Sequence, residues 1–469
     1  MRSSKGFYTF FFIFVSAFFA LGQEQFGMAS SNYSPTATMF HNPASIVDSE
    51  VMIDIHVVGI GAFLHSNYAY LDKDEFSYLK NVILTQDIPD AKFDFSRDKY
   101  SLYSTADIQY LSATYQYKHH GFGFSSRVRT FADVRNVSEI FANAIQIPQI
   151  HGQGQINTNI IGRDLNASNV NIGILSYNEY GITYANAIQH RDRNLFIVGG
   201  AAKFLWGLGG GGVHIENFDY KIDSTGVFSY GNLTAQTSIS EQLLGGTGFS
   251  ADIGFMYKKM LDNVTSYNPF RREAGCRVYD YKLKVGMSII DVGYVKFKKS
   301  TSNSYVSGAS GVLDDFTNLS ISSEPGNFLG ETLNVPDSLI AEDTAAFKVI
   351  VPAAFVFQYD YNFEKNNLYM SVEYIQGLTP SGTFGIQRPS VLAFTPRFET
   401  RSFEAALTFG MYNLQEVRSG LMLRWGPVTI GTDKLGAFLG LSDVNGFDIY
   451  THIAFKIVQQ KRCGKLRFW

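Results

Sequence analysis

The feature that most constrains this chain is an alternation of apolar and polar residues with a period of two, which recurs from residue 51 onwards. In the stretch from Phe403 to Met411, Phe403, Leu407 and Phe409 share one parity, while Glu404 lies on the other. Successive side chains of a strand point to opposite faces, so the pattern predicts strands with one apolar and one polar face. Such strands fit a soluble sandwich with its apolar faces inward or a membrane barrel with its apolar face outward.

The composition of the chain bears on the choice between a soluble sandwich and a membrane barrel. Charged residues make up only 17% of the chain, against roughly 25% in soluble globular proteins. The formal net charge of -3 provides no basic footprint for a nucleic acid partner. The two cysteines, Cys276 and Cys463, do not make a disulfide framework, and whether they pair with each other stays open.

The amino terminus has the pattern of an export signal. Arg2 and Lys5 precede a charge-free, Phe-rich run that ends in the small residues around Gly22. We therefore predict a signal peptide over residues 1–22, cleaved after Gly22. Downstream, no uncharged apolar run of about 18 residues follows, so an exported chain of this kind would cross a membrane only as a closed β-barrel.

The alternating segments predict about sixteen strands, with fourteen as the alternative count. The glycine run Gly209–Gly212 is interpreted as a hairpin loop between two of them. A change of apolar phase near Ile289 and Ile290 is interpreted as a bulge within one long strand.

Three long polar insertions, at residues 65–103, 135–169 and 299–345, would all leave the same end of such a barrel, while the turns at the other end are mostly short. This asymmetry is typical of outer-membrane barrels. Helical spacing in two insertions predicts short helices over Asp74–Leu84 and Val137–Ile145.

The predicted fold class is therefore all-β, an antiparallel transmembrane β-barrel with long extracellular loops that carry short helices. Residues 23–50 would form a periplasmic lead-in or a plug, residues 51–458 the barrel, and residues 459–469 a basic tail. The plug segment contains the turn-forming pair Asn42 and Pro43.

The polar parity of the strands supplies the candidate site residues, which would line the lumen of the barrel. Their mixed signs predict an internal network of ion pairs, with filling of a narrow barrel as the simpler interpretation, and not a one-sign selective ring. The candidates are Lys348, Asp360, Glu373, Glu404, Arg418, Arg424, Asp448, His452 and Lys456.

Patterns of catalysis and cofactor binding are weak. Residues 207–212 match G-x-G-x-x-G formally, but Val213–Ile222 alternates as a strand and offers no helix to hold a pyrophosphate. No histidine pair has metal-ligand spacing. His452 near Asp448 is compatible with a barrel hydrolase, but a lone pair of this kind on a lumen face is far more often ordinary lumen polarity. We expect no catalytic residue, no metal and no cofactor.

Several segments carry a resemblance to known families. The segment Phe40–Ser45, which contains Asn42-Pro43-Ala44, resembles the start of long-chain fatty-acid transporter-like barrels and of outer-membrane components of Bacteroidota type IX secretion. The order of further segments resembles a Bacteroidota outer-membrane β-barrel family known as a domain of unknown function. These segments are Asn178–Gly181, Gly200–Gly207, Gly286–Gly293, Gly420–Pro427 and Ile430–Asp433. The resemblance implies a transporter-like barrel and brings no established activity.

The functional expectation is a non-enzymatic monomer in the outer membrane of a Gram-negative bacterium, surrounded by outer-membrane lipid. Its leading function would be passive passage or binding of a small solute, hydrophobic solutes included, with residues 23–50 as the plug. The alternative is a structural or interaction barrel whose extracellular loops bind a protein or a surface polymer, including an accessory role in secretion.

Overall fold

The computed structural model describes most of the chain. The described residues are 24–47, 49, 51–85, 89–94, 96–138, 162–191, 194–223, 227–240, 244–261, 281–298, 301–313, 335–343, 346–363, 367–380, 384–458 and 467–468. The predicted signal peptide, both cysteines and most of the basic tail lie outside these residues, so those expectations stay predictions.

The fold is a closed antiparallel barrel of fourteen strands. Pairing of the first strand with the last closes the sheet, with Ile53 opposite Ile457 and Phe63 opposite Asp448. The strands are β1 (Ile53–Ser66), β2 (Lys99–Tyr117), β3 (His120–Ser138), β4 (Asp164–Arg191), β5 (Asn194–Ile222), β6 (Phe228–Ser240 and Gly246–Met260), β7 (Tyr281–Phe297 and Thr301–Leu313), β8 (Ala341–Asp343, Phe347–Ile350 and Ala354–Asn362), β9 (Leu368–Gly377), β10 (Val391–Glu399), β11 (Phe403–Tyr412), β12 (Glu416–Trp425), β13 (Val428–Thr432) and β14 (Asp448–Val458).

Short elements complete the described chain. Helical turns occur at Phe26–Ala29, Pro35–Thr38, Pro43–Ile46, Tyr78–Thr85, Asp337–Leu339 and Leu435–Leu439. Strands Ala69–Tyr70 and Lys92–Phe93 form a separate hairpin, and Arg467–Phe468 pairs with the end of β14. None of the helices in the described ranges is long and apolar enough to cross a membrane.

The leading count of sixteen strands is wrong, and fourteen is correct, because the glycine run is not a loop and because the two parts of β6 form one strand of the barrel. Strand β5 continues through Gly209–Gly212, and each of these glycines pairs with β4. A Cβ atom at Gly212 would lie 2.0 Å from the carbonyl oxygen of Ile172. These glycines therefore serve a close approach of two strands. Strand β6, interrupted between Ser240 and Gly246, pairs with β5 on both sides of the gap.

The predicted bulge is confirmed. The register between β6 and β7 shifts between Ile289 and Val292, and Asp291 within the shift has a φ of 57°. Extra residues in a strand re-aim their neighbours, and here the side chain of Asp291 is buried in the barrel.

The strand pairing also groups the connections. The long connections 67–98, 139–163 and 314–340 leave one end of the barrel, called the upper end here, as expected. Connections at the lower end include the short turns 118–119, 400–402 and 426–427. The insertions are shorter than predicted because β2, β3, β4 and β7 extend into them. The predicted helix over Asp74–Leu84 becomes a π-helix at Tyr78–Thr85, while Val137 belongs to β3 and residues 139–145 lie outside the described ranges.

The wall is apolar on its outer face, and its inner face carries buried charged residues. On β4 the outward Ile182 is 71% exposed, whereas the inward Glu179 is 0% exposed. The same alternation runs along β11, where Phe403, Leu407 and Phe409 are exposed and Glu404 is buried. This arrangement is the inverse of a soluble protein, in which charged residues are almost never fully buried.

Candidate functional site

Residues 24–47 lie inside the barrel and form a compact segment, called the plug below. Its three helical turns are Phe26–Ala29, Pro35–Thr38 and Pro43–Ile46. Proline begins the second and third turns, where a missing backbone N–H costs nothing. The Asn42 side chain accepts a hydrogen bond from the Ala44 N–H at 3.0 Å and so caps the last turn.

The tip of the plug, Asn42-Pro43-Ala44, rests against glycines of β5, β6 and β7. Asn42 Nδ2 donates to the carbonyl oxygen of Phe255 at 3.1 Å. A Cβ atom at Gly199 would lie 2.6 Å from Ala44 N, and one at Gly254 would lie 2.2 Å from Asn42 Oδ1. Only a glycine wall lets the tip come this close. We call Gly199, Gly254 and Gly286 the glycine seat.

Wall carboxylates hold the middle of the plug. Asp54 on β1 accepts hydrogen bonds from the Thr36 N–H at 3.2 Å and from Thr36 Oγ1 at 2.6 Å. Glu373 on β9 lies 2.6 Å from His41 Nδ1. Burial by itself lowers the pKa of His41, but the Glu373 charge and hydrogen bond outweigh burial, so the net pKa shift is upward.

Two further carboxylates bind the first part of the plug. Glu399 on β10 accepts from the Asn32 backbone N–H at 2.7 Å and from its side chain at 3.0 Å. Glu404 on β11 accepts from Ser31 Oγ at 2.9 Å and from Arg424 Nε at 2.9 Å. Hydrogen bonds to ionised groups are worth about 1.5–3 kcal/mol each. The plug is therefore attached to several separate strands.

A second segment enters the lumen from the upper end. The connection between β9 and β10, described at residues 378–380 and 384–390, pairs with β8 through the Ile386 N–H and the Ile350 oxygen at 3.1 Å. It also reaches β3, where Gln387 N donates to Asp133 Oδ2 at 2.9 Å and Arg135 donates to the Gly385 oxygen at 3.0 Å. Strand β3 is seven places from β10 in a barrel of fourteen (10 − 3 = 7). This segment therefore crosses the lumen, and we call it the strap.

The strap closes an apolar layer. Ile386 is fully buried among inward-facing apolar side chains of the upper lumen, and Phe384 packs against them. These include Phe63, Phe131, Leu175, Leu205, Val295, Phe297, Phe347, Val349, Val356, Ile375 and Val391. The lumen is thus apolar where the strap crosses it, whereas the plug is surrounded by a mixture of charged, hydrogen-bonding and apolar groups.

An arginine of the strap contacts the plug. Arg388 of the strap donates from one terminal nitrogen to Asp291 Oδ2 at 2.9 Å, and its Nε lies 3.5 Å from Glu24 Oε1 of the plug. Asp291, at the bulge of β7, also accepts from Arg129 at 2.9 Å and from Lys203 at 2.7 Å. The space between plug, strap and wall is a cavity of about 60 Å³, room for about two water molecules.

Most of the predicted lumen residues are buried inside the barrel. Asp360, Glu373, Glu404, Arg424, Asp448, His452 and Lys456 are each at most 3% exposed. Arg418 is half-buried and lies 3.7 Å from the Tyr412 ring centre. Glu373 contacts His41 of the plug, and Glu404 accepts a hydrogen bond from Ser31 of the plug. These two candidates therefore belong to the same site, the part of the wall that holds the plug.

Lys348 departs from this expectation. Its side chain is exposed and lies over the outward-facing ring of Tyr294 at 4.5 Å. The cause is the interruption of β8 between Ile350 and Ala354, which changes the inward parity from odd to even residues.

The pair considered for a hydrolase is not formed. His452 Nδ1 lies 2.9 Å from His56 Nε2, while Asp448 Oδ2 accepts from the backbone N–H of Asp433 at 2.7 Å. The two predicted partners therefore have different neighbours.

Several residues of the site were missed. Arg397 and Glu399 share one inward parity on β10 and bind each other at 3.0 Å, with Arg397 also 2.7 Å from Asp360. Their parity could have identified them. Arg388 and Glu24 had no such signal, because neither lies in a strand.

The fold and site define a class of protein, a closed β-barrel whose own amino-terminal segment occupies its lumen. The chain belongs to the family described as "Family of unknown function (DUF5723)", whose model matches residues 43–433. No curated protein matches the sequence.

Solved barrels show a distant similarity. The chain is 9% identical to the TodX deltaS2S3 mutant monoaromatic hydrocarbon channel, with a TM-score of 0.42 over 90% of this chain and 94% of that one. It is 9% identical to the P. putida toluene transporter TodX, with a TM-score of 0.39 over 90% and 92%. It is 9% identical to a Pseudomonas aeruginosa FadL homologue, with a TM-score of 0.35 over 93% of this chain and 97% of that one. At these TM-scores the similarities carry no conclusion about this chain.

Proposed function

We propose that this protein is an outer-membrane barrel that passes a small apolar solute when its plug and strap move. The membrane placement is supported by the outer face of β5. Val198, Phe204 and Trp206 are exposed and apolar, while higher on the same face His214 and Glu216 are polar. An apolar band bounded by polar residues matches a wall immersed in lipid. The upper end with its long loops is then extracellular.

The apolar layer under the strap is the observation that carries the choice of solute. Barrels that pass hydrophilic solutes have polar, water-filled lumens. In this barrel, withdrawal of Phe384 and Ile386 uncovers side chains such as Phe297 and Val349. An apolar molecule replaces those contacts, whereas a sugar or an ion leaves its polar groups unpaired. The pathway therefore favours apolar solutes.

The plug acts as the lower closure of this pathway. It occupies the lumen between β1, β5, β9, β10 and β11, and several of its hydrogen bonds are to wall carboxylates that stay in place when it leaves. Because several bonds must break together, opening is rare in the resting protein and needs a solute or partner that favours the open state.

A reversible lock tests whether passage requires plug movement. The lock is Thr36→Cys with Asp54→Cys, since these side chains touch at 2.6 Å, in a background with Cys276→Ser and Cys463→Ser. Cells expressing the variant are assayed for uptake of N-phenylnaphthylamine, an apolar fluorescent probe, before and after reduction. We expect uptake to be low in the oxidised protein and to recover on reduction.

The matched control ties two strands that are already neighbours. Thr395 and Thr408 touch at 3.1 Å on the lumen face of β10 and β11, so Thr395→Cys with Thr408→Cys adds a disulfide without holding the plug. Uptake through this variant should not respond to reduction. Equal uptake through the plug lock in both redox states would refute passage by plug movement.

A structural or interaction role is the second candidate, favoured by the height of one side of the wall. Strands β4 and β5 have 28 and 29 residues, against about 9–11 for a membrane strand. Their upper parts form a wall above the membrane on which a protein or surface polymer would bind. Absence of probe uptake in every variant of the lock experiment, with the barrel folded, would favour this role.

A further inference from the structure

We infer that Arg388 couples the strap to the plug, so that the two closures open as one unit. The inference rests on the proposed function only in treating both segments as movable closures. Arg388 then has a positioning role, because its side chain links the movement of the strap to the movement of the plug.

The geometry places Arg388 between three elements. Its guanidinium contacts Asp291 on the wall and Glu24 on the plug, and its backbone belongs to the strap. All three side chains are at most 7% exposed. Asp291 is held in turn by Arg129 and Lys203 from β3 and β5. The wall therefore fixes one side of the arginine, and only the strap and the plug can move relative to it.

Because these charged groups are buried, breaking the contact between Arg388 and Glu24 is costly. An arginine kept in a dry interior needs its charge partners, because breaking a buried pair leaves an uncompensated charge. If the plug withdraws with Glu24, Arg388 keeps Asp291 but loses the carboxylate beside its Nε. Asp291 does not replace that partner, because it is shared with Arg129 and Lys203. Moving the strap takes the arginine out of the buried site in which this partner is missing. The free energy that links two such equilibria acts equally in both directions.

The test measures each closure separately with a reporter cysteine. In the background without native cysteines, Thr38→Cys reports on the plug and Thr379→Cys on the strap, since both threonines are buried. The rate of maleimide labelling of the folded full-length protein gives the exposure of each segment. Glu24→Gln should increase labelling of the strap reporter, and Arg388→Gln should increase labelling of the plug reporter. Coupling of about 1–3 kcal/mol corresponds to roughly 5- to 150-fold in these rates.

The control is an arginine that binds the strap and not the plug. Arg135 donates to Gly385 and pairs with Asp133 at 2.7 Å, so Arg135→Gln loosens the strap while the Arg388 contacts stay intact. It should increase labelling of both reporters in the parent, and of the strap reporter alone when combined with Arg388→Gln. Coupling is refuted if Glu24→Gln changes only the plug reporter, or if effects of the double variant Glu24→Gln with Arg388→Gln equal the product of the single effects.

A conservative variant and a folding check separate coupling from general loss of structure. Arg388→Lys keeps the charge and should retain part of the coupling, whereas labelling of both reporters as fast as with Arg388→Gln would count against it. Heat-modifiable migration identifies the folded barrel in every sample. The readout involves no solute, so coupling can hold where probe uptake fails, and uptake can succeed where the two closures open independently.

Discussion

Adding one methyl group to the glycine seat is the sharpest perturbation the structure offers. In Gly199→Ala the new Cβ would lie 2.6 Å from Ala44 N and 2.7 Å from the Pro43 carbonyl carbon. These are backbone atoms of a capped turn, so they cannot move aside as the end of a flexible side chain would. The tip of the plug must therefore shift away from the wall.

The size of the effect follows from overpacking energies. Forcing an extra methyl group into a packed site costs about 1–3 kcal/mol. Since each 1.4 kcal/mol is a factor of ten in an equilibrium constant, the displaced state of the plug should increase roughly 5- to 150-fold. The wall itself stays paired, because Gly199 keeps its place opposite Gly254 in the sheet.

Labelling of the plug reporter Thr38→Cys measures this change, and the neighbouring glycine is the control. Gly200 faces the opposite side of the wall, where a Cβ would meet its nearest atom, the Asp252 oxygen, at 3.4 Å. Gly200→Ala should label as the parent does, and Gly199→Ala faster. Equal labelling of the two variants, both folded by heat-modifiable migration, would refute the idea that glycine contacts seat the plug.

Two further predictions concern charge. Burial lowers the pKa of His41, but Glu373 raises it by more, so the net shift is upward. The His41–Glu373 contact therefore stabilises the seated plug fully below the unfolded pKa of about 6.5. This stabilisation is lost as pH rises through the higher pKa of the folded state. The labelling ratio of Glu373→Gln to parent at the plug reporter should therefore fall with rising pH, and a ratio that grows would contradict the assignment. Arg397→Met removes the cation that lies 2.7 Å from Asp360 and 3.0 Å from Glu399, and leaves Asp360 with Lys284 at 3.3 Å. The free energy of unfolding in urea should fall by about 3–5 kcal/mol, and a loss below 1 kcal/mol would exclude a structural role for this pair.

The sequence predicted the faces of the wall well because strand geometry alone decides them. Glu404 and Arg424 lie at inward positions of β11 and β12, and alternation places them there whatever surrounds them. The same logic failed for Lys348, where a break in β8 reset the parity. Glycines were the harder case. Gly209–Gly212 carry the composition of a turn, yet they allow close pairing of β5 with β4.

Contacts across the lumen could not be predicted at all. The strap binds Asp133 on β3 from residue 387, a separation of 254 residues, and no local pattern encodes such a distance. Arg388 reads as a loop arginine beside Pro389. Its role is visible only in the closed barrel, where Glu24 and Asp291 both lie beside its side chain.

The position of the plug also has a consequence for assembly. The plug precedes β1 in the chain, yet it binds residues as distant as Glu404, 373 residues from Ser31. Contacts between distant residues form slowly, because the intervening chain must be ordered first. A segment made early and bound by many strands offers those strands a common surface before β14 meets β1. The plug would then act as a template for the growing sheet, and it would already fill the lumen when β14 pairs with β1.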